Sequence, residues 1–180
     1  MVTPSGEQMA ARFEFAHLAG QYLVAGRFAA LTHCMPVAGN LLHHAVEMLL
    51  KCVLVESHSL RELKGLGHNL STLWERFEVL HPNPVHASLR AAIAELEKFE
   101  RLRYPDSVVL EGMQVSFVVT RAQFSPLPSG PQPPYHLVLE DIDSIIKIAA
   151  YASRFEGADF TSGISTQGIH FLQSHNAHPL

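Results

Sequence analysis

Asn40-Leu41-Leu42-His43-His44-Ala45-Val46-Glu47-Met48-Leu49-Leu50-Lys51 is the stretch on which the fold turns. Leu41, Ala45, Leu49 and Cys52 recur at helical spacing, and Leu42, Val46, Leu50 and Val53 form a second row beside them. Together the rows make a broad apolar arc. The rest of the circumference is a thin polar stripe of Asn40, His44, Glu47, Lys51 and His58, whose steps of three, four and seven residues keep it on one face. A helix this apolar is a central packing element, so residues 37–58 are expected to be surrounded by other helices.

Working outward, residues 7–33 read as a long helix whose Phe13, Ala16, Leu18, Tyr22, Leu23, Phe28 and Leu31 spread around the wheel. Gly20 and Gly26 each weaken it by about 1 kcal/mol relative to Ala, but small residues let another helix come close. His33 to Pro36 breaks it. Residues 59–67, with Gly65 and Gly67, read as a connector. A short helix follows over 68–80, with Leu70, Leu73, Trp74 and Phe77 inward, and then a helix over 85–103 with a seam of Leu89, Ile93, Leu96 and Phe99.

The pattern changes at Pro105. Ser107–Leu110 and Gln114–Thr120 are Val-rich and flank Glu111-Gly112, which predicts a β-hairpin. Residues 122–134 carry five prolines and read as a loop, and 135–139 as a short third strand. Residues 140–156 form the last helix, with Glu140, Asp141 and Asp143 where negative charge suits the helix dipole. Residues 157–180 read as a weakly ordered tail in which Ile169, Phe171 and Leu172 have the means to dock. The expected fold is thus mainly α: a five-helix domain over 1–156, carrying a β-hairpin and Pro-rich insertion at 107–139.

The chain has 180 residues, enough for one domain, and a net charge of −4. That balance argues against strong general DNA binding, which needs clustered Lys and Arg. Residues 1–103 are neutral overall and residues 104–180 carry the acid excess, so any nucleotide or RNA contact is expected in the first hundred residues. Cys34 and Cys52 read as buried free thiols of a reducing compartment. Met1 to Gln8 holds no basic stretch leading into an apolar run. The longest uncharged run, Phe28 to Val46, is broken by Pro36 and carries His33, Asn40, His43 and His44. The expectation is a cytoplasmic protein without a membrane span.

Three segments resemble the HEPN superfamily (higher eukaryote and prokaryote nucleotide-binding domains). Asn40–Lys51 looks like the family's second helix, with its Ala, Glu and Lys spaced as here. Gly67-His68-Asn69-Leu70 followed by Leu73 is similar to the start of its next helix, and Phe99-Glu100-Arg101-Leu102-Arg103-Tyr104-Pro105-Asp106 to its Arg-Tyr-Pro segment. The resemblance implies a helical bundle, often a homodimer, that works near nucleotides or RNA. Family members include toxin–antitoxin-type ribonucleases, binding modules and subunits that pair with a nucleotidyltransferase.

Active ribonucleases of that family use an Arg, a polar neighbour and a His four to six residues further on, with His as acid or base and Arg on the phosphate. Arg12/His17, Arg27/His33, Arg61/His68 and Arg76/His81 have roughly this spacing, but Arg12, Arg27 and Arg76 are each followed by Phe. No catalytic residue is assigned. The expectation is a non-catalytic module binding a nucleotide, RNA or protein partner. The alternatives are a metal-independent ribonuclease with other catalytic residues, and a pure interaction subunit.

The ligand-binding candidates are His44, Glu47, Lys51, His68, Arg101, Arg103 and Tyr104. Arg grips phosphate in bidentate fashion, Tyr stacks on a base, and His68 stands beside helix N–H groups that suit an anion. Each has a plainer role too. Glu47–Lys51 is a helix ion pair one turn apart, His68 a capping residue, and Arg101 and Arg103 are neighbours of Glu97 and Asp106. His43 and His44, adjacent on a helix, point about 100° apart, and His43 with Glu47, or His44 with Glu47, supplies two metal ligands but no third. No metal site and no cofactor are expected.

Overall fold

A computed structural model of the chain describes residues 5–104, 106, 109–110, 114–120, 134–155 and 160–175. Its elements run α1 (Gly6–Leu31), α2 (Val37–Leu54), α3 (Leu60–Gly65), α4 (Leu70–Leu80), α5 (Pro84–Lys98), a 3-10 segment (Phe99–Arg103), β1 (Val115–Val118), β2 (Tyr135–Val138), α6 (Leu139–Ser153) and α7 (Thr166–His175). The protein is mainly helical, with one small sheet.

Ser5 opens α1 with a capping box: its hydroxyl accepts from the Gln8 backbone and the Gln8 side chain accepts from its own N–H. The same Gln8 amide donates to the carbonyls of Val55 and His58 beyond the end of α2, at 3.0 and 3.4 Å. Arg12 pairs with Glu56, and Tyr22 lies against His44. Later residues of α1 thus meet earlier residues of α2, so the two helices pack antiparallel.

The buried face of α1 differs from the expected one. Ala16, Ala19, Gly20, Leu23, Gly26 and Ala30 are buried, whereas Phe13, Leu18 and Phe28 are exposed. Small residues let the α2 backbone come close: a Cβ at Gly26 would stand 2.9 Å from the Leu42 side chain. The large rings pack at the rim instead, Phe13 on Phe155 at 4.9 Å and Phe28 on Phe171 at 5.7 Å.

Apart from the half-buried Leu41, both apolar rows of α2 are sunk in the core, and the helix packs against α1, α4, α5, the 3-10 segment and α6. By length and composition alone it is apolar enough to cross a membrane, but 72% of it is buried in the bundle. At Gly39 the 3-10 segment crosses so closely that an added Cβ would overlap the Phe99 ring. Gly39→Ala should therefore destabilise the protein by about 1–3 kcal/mol through overpacking. Urea unfolding reads this directly, and an unchanged midpoint would contradict the close crossing.

The expected hairpin is not formed. β1 pairs with β2 in parallel, Val115 opposite Tyr135 through Val118 opposite Val138. Residues 106 and 109–110 are helical, and Val109 and Leu110 are exposed. An antiparallel hairpin needs only a tight turn, but a parallel pair needs a long return connection. The Glu111-Gly112 turn and most of the Pro-rich stretch lie outside the described residues. Two further expectations change. The connector holds the capped helix α3, and the segment read as a tail includes α7, with Phe160 and Leu172 buried. Cys52 is buried as expected, but Cys34 is exposed at the turn after α1.

Candidate functional site

The polar stripe of α2 meets three neighbours. Glu47, with no exposed surface, is the centre. Lys51, one turn later, donates to its Oε1 at 2.6 Å. His44, one turn earlier, donates Nδ1–H to its Oε2 at 3.1 Å. His68, just before α4, donates Nδ1–H to the same carboxylate at 3.0 Å. Lys51 also donates to the Gly67 carbonyl at 2.8 Å. Gly67 has φ +60, the left-handed region that glycine occupies without strain, and this turn delivers both the carbonyl and His68.

Burial raises the pKa of the Glu47 carboxyl, but the hydrogen bonds from His44, Lys51 and His68 and the Lys51 charge outweigh it and hold it at about 2. Glu47 is thus ionised at neutral pH. His43, on the other side of Glu47, has its pKa lowered, chiefly by burial against the raising effects of Glu47 and Glu100. It is neutral at pH 7.

The 3-10 segment brings the second half of the site. Glu100 pairs with Arg103 at 2.8 Å, and its other oxygen lies 3.9 Å from His43 and 4.0 Å from His44. His68, Asn69, Ala94, Glu97, Lys98, Glu100 and Arg101 line an open cleft of about 440 Å³ beside the network. Two of the cleft carboxylates already have partners: Ser71 donates to Glu97, and Arg103 to Glu100. Lys98 is paired with Glu95. Arg101 is exposed and makes no ion pair among the described residues.

Of the seven candidates, His44, Glu47, Lys51 and His68 come together directly. Arg103 joins through Glu100, and Arg101 stands in the cleft wall. Tyr104 is 64% exposed and is not among the residues lining the cleft. Sequence reasoning missed Glu100 and left His43 out of the site, weighing it only as one of two metal ligands with Glu47. A usable signal existed for each: His43 lies one turn before Glu47, and Glu100 one turn before Arg103.

The Arg/His spacings lead elsewhere. Arg12 pairs with Glu56, donates to the Ser153 carbonyl and lies over the Phe155 ring. Arg27 is fully buried against Asp143. Arg61 and Arg76 are exposed, and His81 packs on Phe77. A larger cavity, about 950 Å³, lies among Phe77, His86, Lys147, Tyr151 and Phe155, none of which belongs to the Glu47 network.

Fold and site together define a mainly α-helical protein in which a buried carboxylate, held by two histidines and a lysine, adjoins an open cleft. Compared with protein-family models, with curated proteins and with solved structures, the chain finds no match in any of the three.

Proposed function

We propose that this is a HEPN-like helical module that binds a phosphate-bearing ligand, a nucleotide or an RNA segment, in the cleft beside Glu47 and does not cleave it. The observation that carries the reading is the placement of His68 and Arg101 on that cleft. His68 is half exposed, with its Nδ1 fixed on Glu47. Its Nε2 side is left for a ligand. Arg101 supplies a guanidinium without a carboxylate partner among the described residues. Charge-assisted bonds from Arg to phosphate are short and strong, and a histidine oriented by a buried carboxylate adds direction.

The non-catalytic part of the proposal is supported by the fate of the arginines. Two of the four with ribonuclease-like spacing are used inside the fold, Arg12 on Glu56 and Arg27 on Asp143. The resemblance also carries a homodimer into the reading.

Fluorescence anisotropy with a labelled RNA oligonucleotide, competed by a mononucleotide, tests it. Arg101→Ala and His68→Ala should each weaken binding by about tenfold or more, the loss of one charge-assisted hydrogen bond. The RNA should remain intact on a gel. Isotherms for both variants that overlay the wild type would remove the cleft from consideration. Cleavage abolished by a single His substitution would replace binding with catalysis.

A further inference from the structure

We propose that His43, His44 and Glu100 form a binding site for a divalent first-row transition-metal cation, of the Zn2+ class. The inference rests on side-chain geometry alone and stands apart from the nucleotide proposal.

The tautomers are fixed by the partners. The Nδ1 of His43 faces the Leu96 carbonyl at 3.5 Å, and the Nδ1 of His44 faces Glu47 Oε2 at 3.1 Å. A carbonyl and an ionised carboxylate only accept, so both Nδ1 atoms carry the proton. With the proton on Nδ1, Nε2 is the ring atom that each histidine offers to a metal. The Oε1 of Glu100 takes the Arg103 guanidinium at 2.8 Å. Its Oε2 lies 3.9 Å from His43 Nε2 and 4.0 Å from His44 Nε2. His43 Nε2 and Glu100 Oε2 are sealed from solvent and make no hydrogen bond. His43 itself is fully buried.

Glu100 Oε2 therefore faces both Nε2 atoms, and it and His43 Nε2 lie inside the protein, where an unsatisfied polar group is costly. A water has two protons for three acceptors. A cation satisfies all three. Ligand atoms about 2.0–2.2 Å from a tetrahedral zinc stand about 3.4 Å apart, so Glu100 Oε2 needs to close on each Nε2 by roughly half an ångström. Two imidazoles select a transition metal over Mg2+ or Ca2+. Glu100 also lines the open cleft.

The outer partners have the form metal sites use. A ligating histidine donates its other N–H to a carboxylate or backbone carbonyl, as His44 does to Glu47 and His43 to Leu96. Ligand atoms of His43, His44 and Glu47 lie within 4.8 Å of one another. But both Glu47 oxygens already hold Lys51, His44 and His68, so Glu47 orients and Glu100 ligates. The third donor, whose lack argued against a metal in the sequence, arrives from the 3-10 segment as Glu100. The two rings stand 5.4 Å apart and perpendicular.

The test is titration of chelator-stripped protein with Co2+ and Zn2+. One equivalent of Co2+ should bind and give the visible bands of a low-coordinate site, with Zn2+ displacing it. Glu100→Gln and His44→Gln should each weaken affinity at least about tenfold, while circular dichroism matches the wild type. Glu100 is partly exposed, and Gln at position 44 still donates to Glu47, so each variant backs up the other should one fail to fold. Three results overturn the proposal: no visible Co2+ bands, equal affinity in both variants (binding elsewhere among the 12 histidines), or an NMR titration showing His43 protonated at pH 7 in the metal-free protein.

Discussion

Replacing Glu47 with Ala is expected to cost about 3–5 kcal/mol of unfolding free energy, the usual penalty for removing one partner of a buried ion pair. Lys51 is 7% exposed and would keep only the Gly67 carbonyl, leaving its charge without a counter-ion in the core. The same change releases His44 and His68 from their shared acceptor. Urea unfolding of the two proteins measures the difference, and a loss under about 1 kcal/mol would show that the carboxylate is not the hub. The pH dependence gives the sign independently. The Glu47 pKa of about 2 lies below its ordinary 4.5. Its contribution is therefore complete above about pH 4.5 and disappears as pH falls towards 2. Wild-type stability should decline through that window, and the Ala variant should lose less there.

Asp143→Ala should have an effect of the same size by a different route. Arg27 on α1 and Asp143 on α6 pair with side chains only 1% exposed, so truncating the acid takes the carboxylate away from a guanidinium buried between two helices. The expected loss is again about 3–5 kcal/mol. The informative partner is the double substitution Arg27→Met with Asp143→Leu, which removes both charges and refills the space with apolar atoms. It should recover much of the loss, because buried pairs often gain little over well-packed hydrophobic residues. Chemical unfolding of the single and double variants decides it. A double variant no more stable than Asp143→Ala alone would mean that apolar packing cannot replace the pair.

What could be seen in the sequence was whatever local periodicity records. The rows of α2 announced a core helix, and the four-residue step from Glu47 to Lys51 announced their pair. The seam of Leu70, Leu73, Trp74 and Phe77 announced the buried side of α4, and all four are buried. Contacts made across the fold left no such trace. His68 reaches Glu47 from 21 residues away, and His43 meets Glu100 only because Gly39 lets the 3-10 segment come close. The resemblance brought His68 forward but not Glu100. On α1 the large residues misled: volume marks hydrophobicity, whereas a tight helix pair selects Ala and Gly for its seam and leaves Phe13 and Phe28 at the rim. Val109 and Leu110 misled in another way: they are helical, since β-branched residues favour a strand only where a partner lies alongside.

The bonds from Lys51 to Gly67 and from Glu47 to His68 stitch the innermost helix to the corner before α4. Whatever engages His68 therefore acts on the same stitches that hold the bundle closed. Occupancy must then raise the melting temperature in proportion to RT ln(1 + [L]/Kd). A dye-based thermal screen of small phosphorylated compounds thus becomes a route to the ligand that needs no prior guess at its identity.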